Sequence, residues 1–254
     1  MKKLSLATAI FASVVAMGAN AYQAEVGGTI NYIDPDHADS ATGFAIDGTY
    51  YFNPVQVKNA PLNEAAFLNR ASNVNGAVSY ADNDGYKVTT YGIGAEYFVP
   101  NTDFYVAGNI ARTTEKEDGF KDWDTTTYKA EVGYLPVANL LIAVGVVGYD
   151  DDYSDDVDPT LRAKYVTQLS GYDVNFEAAT SFGDTDYYNL GADLYLDKTL
   201  SVGVAYSGSN DDLIDEDVFT LRAKKFFTQE FSVEANAGFG DDYNIYGIRA
   251  AYRF

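Results

Sequence analysis

Along most of the chain, apolar residues fall on every second position. Tyr172, Val174, Phe176, Ala178 and Phe182 alternate with Asp173, Asn175, Glu177 and Ser181. Leu190, Ala192, Leu194 and Leu196 alternate with Asn189, Gly191, Asp193 and Tyr195, and Leu200, Val202, Val204 and Tyr206 with Ser201, Gly203, Ala205 and Ser207. A period of two marks a β-strand with one apolar and one polar face. The pattern predicts about fourteen strands. They fall near 22–33, 43–53, 72–81, 86–99, 102–113, 124–135, 138–149, 160–169, 172–183, 185–196, 199–208, 217–227, 230–240 and 243–254.

The last of these carries Tyr246, Ile248, Ala250, Tyr252 and Phe254 on one face and Gly247, Arg249, Ala251 and Arg253 on the other. A chain that ends on a strand leaves an edge. In lipid an unpaired edge is costly, so the first strand is the expected partner and the sheet closes. The connections alternate in character. Tight turns are expected at Pro100-Asn101, Pro136, Ser170-Gly171, Asp197-Lys198 and Thr228-Gln229, and longer acidic loops at Asp34–Thr42, Glu115–Asp122, Asp150–Asp158 and Ser209–Glu216. Short turns on one side and long loops on the other, with both termini on the short side, are the arrangement of an outer-membrane barrel. A solvated sheet also alternates. The closing strand, the turn asymmetry and an export signal together favour the transmembrane antiparallel β-barrel.

That signal is residues 1–21. Lys2 and Lys3 precede an apolar core from Leu4 to Met17, and Ala19-Asn20-Ala21 is a small-x-small cleavage pattern. The apolar run is shorter than the ~20 residues a spanning helix needs. The expected organisation is a cleaved leader, 1–21, followed by one barrel, 22–254. A ring of about fourteen strands is too wide for side chains to fill, so its polar faces should line a wet lumen. Tyr97, Tyr134, Tyr149, Tyr165, Tyr195, Phe231 and Tyr252, near strand ends, suit interfacial girdles.

Composition sharpens this picture without redirecting it. The net charge is −20, from Lys+Arg 17 against Asp+Glu 37, which argues against a nucleic-acid partner. With Cys 0 there is no disulfide framework and no thiolate metal site. The mean hydropathy of −0.19 is too polar for a helical membrane protein but ordinary for a barrel, which gives lipid only alternate residues.

One segment breaks the rhythm. Residues 54–71 lie on the side where other turns need few residues. Pro61 to Arg70 reads as a short helix, with Pro61 and Glu64 near its start and Arg70 at its end. Either it packs on the periplasmic rim, or it folds into the barrel mouth as a plug bearing Pro61, Glu64, Phe67 and Arg70.

Candidate pore chemistry lies on the polar strand faces. Alternation puts Lys129, Arg162, Lys164, Arg222, Lys224, Arg249 and Arg253 in the lumen with Glu25, Asp47, Glu96, Glu131, Asp173, Glu177, Asp193 and Glu234. One expectation is pairing between neighbouring strands: Arg162 and Lys164 with Asp173 and Glu177, Arg222 and Lys224 with Glu234, and Arg249 with Glu25. The other is that basic and acidic strands oppose each other across the pore and orient solutes.

Catalytic chemistry is thin. His37 is the only histidine, no nucleophile motif accompanies it, and a solvated loop histidine is the expected role. Asp150–Asp156 lacks the central Gly and distal Glu of a dedicated calcium loop, so no metal site is expected, and no cofactor. Weak divalent-cation bridging to lipopolysaccharide phosphates is the most such loops would do.

Tyr50-Tyr51-Phe52-Asn53 followed by Pro61-Leu62-Asn63-Glu64-Ala65-Ala66-Phe67-Leu68-Asn69 resembles the porin family of gammaproteobacterial outer membranes. The start at Tyr22, the stretch Tyr195–Gly203 and the Arg253-Phe254 ending are similar too. The resemblance implies a monomeric outer-membrane channel for water and small solutes. Phe254 also resembles the C-terminal signal read by the barrel-assembly machinery. The expected function is therefore a passive porin for water and small hydrophilic solutes, mildly cation-preferring, with outer-membrane lipid and lipopolysaccharide as partners. Its rival is a structural or adhesive barrel with a closed pore and working acidic loops.

Overall fold

A computed structural model describes residues 21–36, 39–83, 85–117, 119–151, 155–183, 186–210 and 217–254. Residues 1–20, which hold the expected export signal, His37, and residues 152–154 and 211–216 of the expected acidic loops lie outside the described residues.

The alternating segments become fourteen strands: β1 Ala21–Pro35, β2 Ala41–Gln56, β3 Asn73–Asn83, β4 Tyr86–Phe98, β5 Phe104–Glu117, β6 Trp123–Val137, β7 Leu140–Asp151, β8 Asp155–Leu169, β9 Tyr172–Ser181, β10 Tyr187–Asp197, β11 Leu200–Ser209, β12 Val218–Phe226, β13 Phe231–Gly240 and β14 Tyr243–Arg253. Each pairs antiparallel with its sequence neighbours, and β14 returns to β1 to close the barrel. The closing register runs from Glu25 opposite Arg253 to Pro35 opposite Tyr243. Closure gives every edge a partner, which hydrocarbon demands.

The faces are inverted relative to a water-soluble domain. Ile30, Phe44, Ile46, Ile93, Val132, Leu190 and Ile248 are exposed on the outside, whereas Glu131, Asn175, Asp193 and Arg253 are buried. Water would penalise that arrangement and lipid rewards it. At about 25 cal/mol per Å², the outer band favours insertion once the backbone is paired. Tyr50, Tyr97, Tyr134, Phe231 and Tyr252 sit on this face and are exposed.

Several local expectations are corrected. The described residues of 150–158 are strand rather than loop, with β7 running to Asp151 and β8 starting at Asp155, whereas 115–122 is strand only as far as Glu117, where β5 ends. Tyr149 pairs with Asp156 and Asp150 with Asp155. These strands are longer than the ~9–11 residues that cross a bilayer. Their outer ends stand in water, where carboxylates are well solvated while the backbone ladder continues. The turn expected at Pro136 falls instead at Ala138-Asn139, with Asn139 at φ 63°. Pro136 sits in a bulge between Tyr134 and Val137, where its missing N–H costs no ladder bond. Ser170 and Gly171, at φ 52° and 88°, form the predicted tight turn with the left-handed geometry that a two-residue hairpin requires.

Two tyrosines assigned to the girdles also move. Tyr195 is 3% exposed inside the barrel, and Tyr149, opposite the inward Thr127, lies on the lumen face. Their register parity overrides the general preference of tyrosine for interfaces.

Candidate functional site

Between β2 and β3 the chain enters the lumen. Pro61 presets the extended backbone that precedes a 3₁₀ turn, Leu62–Glu64, and one α-helical turn, α1, Ala65–Leu68. The helix is shorter than its sequence suggests. Asn69 Nδ2 donates to the Ala65 carbonyl at 2.6 Å and to the Gln56 carbonyl at 2.9 Å, and Arg70 follows at φ 50°. These contacts end the helix and turn the chain out towards β3.

The segment touches widely separated parts of the wall. Ala65 packs with Tyr22, Tyr51 and Val55 on β1 and β2. Phe67 packs against the cluster of Phe98, Tyr105, Leu135 and Leu141, contributed by β4 to β7. Glu64, 1% exposed, pairs with Lys164 on β8 at 2.9 Å and accepts a hydrogen bond from the Tyr195 hydroxyl on β10 at 2.5 Å. Arg253 Nη1 donates to the Leu62 carbonyl at 2.9 Å, and Leu62 N–H to the Lys198 carbonyl at 2.8 Å. From β2, β8 is six strands round the ring in one direction and β10 six in the other. Glu64 therefore crosses most of the lumen, and the segment spans the end that holds both chain termini. Pro61 is fully buried there, and Lys164 Nζ lies 5.2 Å from the centre of the Phe67 ring. Arg70 stays at the rim, half-exposed, paired with Asp103 at 2.9 Å.

Above the segment lies a cavity of about 430 Å³, bordered by Glu64, Phe67, Glu96, Tyr105, Arg162 and Lys164. All the charges assigned to the lumen face inward by strand register, and most are ion-paired. Lys164 also pairs with Glu177 (2.7 Å), Lys224 with Glu234 (3.4 Å) and Arg249 with Glu25 (3.1 Å), as alternation suggests. Arg253 also holds Glu25 at 2.5 Å.

Other pairs skip a strand. Arg162 does not join Asp173 or Glu177; it grips Glu131 on β6, and Lys129 lies 3.4 Å from the same carboxylate. Arg222 meets Asp193 on β10 at 2.7 Å, and Arg249 meets Asp47 on β2 at 2.5 Å. Asp173 instead pairs with Lys198. The skipped positions explain the reach. The intervening strand offers Ala143 and Gly145 beneath Arg162, Gly203 beneath Arg222 and Gly27 beneath Arg249. A Cβ on Gly203 would lie 2.1 Å from Asp193 Oδ1, and one on Gly27 2.4 Å from Arg249 Nη2. Small inner residues are thus slots through which arginines cross. Pairwise reading of neighbouring strands misses this. The signal available in the sequence is an inward glycine flanked, on the next strand each way, by an arginine and an acid.

Gly27 and Gly28 supply a matched test. Gly28 faces outward, and a Cβ there would meet nothing within 4 Å, whereas Gly27 underlies Arg249. Gly27→Val should cost about 1.5–3 kcal/mol, the worth of a charge-assisted hydrogen bond, and Gly28→Val close to nothing. The check is the temperature at which each purified variant loses its compact, fast-migrating band in detergent gels.

A closed barrel with an apolar exterior and a charged, cavity-bearing lumen defines an outer-membrane channel barrel. The family described as "Putative general bacterial porin" matches residues 1–151, and the chain belongs to it. Among solved structures, the chain is similar to the outer membrane protein Omp33 of Acinetobacter baumannii: 29% identity, TM-score 0.74, covering 93% of this chain and 100% of that one. It shares the fold alone with the CymD monoaromatic hydrocarbon channel (9% identity, TM-score 0.59, 92% and 89% covered). The same holds for the Pseudomonas putida toluene transporter TodX (8%, 0.53, 94% and 91%). A search of curated proteins returned no match. The protein is accordingly a porin-family channel of the Gram-negative outer membrane, in contact with membrane lipid and small solutes, and is not an enzyme.

Proposed function

We propose that the barrel passes water and small hydrophilic solutes by passive diffusion, with residues 54–71 as the element that narrows and gates it. The observation that carries the reading is Glu64, buried against Lys164 and Tyr195 far across the ring from its own strand. The segment rests on few covalent constraints and many polar contacts, so its departure would open a lumen whose walls are already ion-paired. In this reading Lys129, Arg162, Lys164, Arg222, Lys224 and Arg249, with Glu25, Asp47, Glu96, Glu131, Asp173, Glu177, Asp193 and Glu234, line the route. The leader is removed after Ala21, the Phe254 strand engages the assembly machinery, and lipopolysaccharide surrounds the outer rim.

Liposome swelling with sugars of graded size tests the transport claim. Swelling that falls steeply with solute size supports a narrowed pore. No swelling with any solute, water-sized ones included, favours the rival reading of a closed structural or adhesive barrel. The same segment lying across the lumen is what lends that rival its weight.

Excess acid sets the expected selectivity. The net charge is −20, and Asp150, Asp151, Asp155 and Asp156 stand at the outer strand ends. A negative mouth concentrates cations, more so at ~0.01 M salt, where the screening length is about 30 Å, than at physiological salt, where it is about 8 Å. A reversal potential under a potassium chloride gradient should show mild cation preference that fades as salt rises. Chloride preference at low salt would contradict it.

A further inference from the structure

Lys164 is shared between the plug and the wall. Its Nζ lies 2.9 Å from Glu64 Oε2 and 2.7 Å from Glu177 Oε1. The two carboxylates are held differently. Glu64 belongs to the plug and is buried there, its Oε1 accepting from the Tyr195 hydroxyl at 2.5 Å and from Asn63 Nδ2 at 3.3 Å. Glu177 stands on β9 directly opposite Lys164 on β8, and its partly exposed side chain borders the cavity above the plug. The buried Asn175 amide donates to Glu177 Oε1 at 3.0 Å and to Asp193 Oδ2 at 3.2 Å, and Asp193 is in turn held by Arg222. Asn175, Asp193 and Arg222 all lie on wall strands, so the hold of Glu177 on Lys164 does not depend on where the plug is.

With the plug seated, the Lys164 ammonium is in contact with two carboxylates. Those carboxylates repel each other across it, and Glu64 has also given up its water. With the plug withdrawn, Glu64 returns to the aqueous mouth and Lys164 keeps a single partner, Glu177. Were Glu177 neutral, the same withdrawal would strand an ammonium whose side chain is only 18% exposed. A charge left without its partner in such a place is costly. Glu177 thus weakens the seated state by repulsion and stabilises the withdrawn state by pairing. Both effects have the same sign.

We propose that Glu177 is the positioning residue that receives Lys164 as residues 54–71 leave the lumen, and that it sets how often the plug departs. The assignment rests on the gating reading above for its effect on passage, but the movement of the plug is measurable without conduction. Two carboxylates on one lysine thereby act in opposite senses. Glu64 holds the plug in, and Glu177 lets it go.

The sequence has Cys 0, so one introduced thiol can report the position of the plug. Ala65 is buried with Tyr22, Tyr51 and Val55 while the plug is seated. In the purified, detergent-solubilised mature protein carrying Ala65→Cys, the rate of labelling by a water-soluble maleimide measures departure of the plug. Glu64→Gln should raise that rate. Glu177→Gln should lower it about threefold, the scale of one partly exposed charge pair. In the Glu64→Gln background Glu177→Gln should no longer lower it, because Lys164 then has no carboxylate partner in either position of the plug. A merely structural role for Glu177 predicts a looser wall and faster labelling. Faster or unchanged labelling in the single variant, or an equal slowing in both backgrounds, would overturn the assignment. If Glu177→Gln does not fold, as judged by its heat-dependent gel migration, Glu177→Asp decides. It keeps the charge but draws it back from Lys164, so labelling should again slow, and a rate at or above that of Glu177 would overturn the proposal. Labelling in the expected order with solute passage unchanged on removal of Lys58–Arg70 would sink the gating reading alone. Passage that rises on that removal, with labelling indifferent to Glu177, would sink this inference alone.

Discussion

Replacing Lys58–Arg70 with a short Gly-Asn-Gly connection is expected to raise liposome swelling by disaccharides several-fold, to a rate near that of monosaccharides. The barrel should survive the excision because the wall does not depend on the plug for its charge balance. Lys164 keeps Glu177 at 2.7 Å and Arg253 keeps Glu25 at 2.5 Å once Glu64 and the Leu62 carbonyl are gone. What the wall loses is apolar cover over Tyr51 and Val55, and a wide ring tolerates that better than a packed core would. Val55 belongs to β2 and must stay, which is why the excision begins at Lys58. Unchanged swelling with a folded barrel would mean that the segment does not limit passage.

Glu64→Gln is expected to leave the plug in place but loosen it. The substitution keeps an acceptor for the Tyr195 hydroxyl and removes the charge opposite Lys164. Losing one charge-assisted contact should cost about 1.5–3 kcal/mol. That shifts a closed–open equilibrium by roughly one to two orders of magnitude. In bilayer recordings the variant should open more often and flicker, with the conductance of its open level set by the same walls as wild type. The backbone contacts at Leu62 remain, so a fully and permanently open channel is not expected from this change alone.

These two variants depend on contacts that the sequence discloses unevenly. The barrel itself is legible because each strand repeats a pattern of period two, and away from bulges such as those at Tyr22–Ala24 and Tyr134–Val137 parity assigns a strand's residues to its outer or inner face. Lys129, Glu131, Arg222 and Glu234 fall on the inner face for that reason. Pairing is legible where partners sit on adjacent strands, directly opposite as Lys224 and Glu234 do or offset along the strand as Arg249 and Glu25 are. Arg162 with Glu131 and Arg222 with Asp193 are not, because an arginine long enough to cross a strand pairs by the absence of a side chain between, not by adjacency. The plug is visible as an interruption, and its proline start and short apolar turn are readable from Pro61 to Leu68. Its direction is not. Whether Glu64 meets water or Lys164 depends on curvature of the whole ring, which no local stretch encodes. Pro136 misleads for a related reason: it marks a bulge as readily as a turn, and the positive φ that defines the turn belongs to Asn139.

Single-channel recording of the intact mature protein in a planar bilayer bears most directly on the central claim, a charge-lined lumen narrowed by a segment that Glu64 holds. The account predicts small, discrete conductance steps in wild type and larger ones after replacement of Lys58–Arg70. Silence from both, with each barrel folded and inserted, would contradict it.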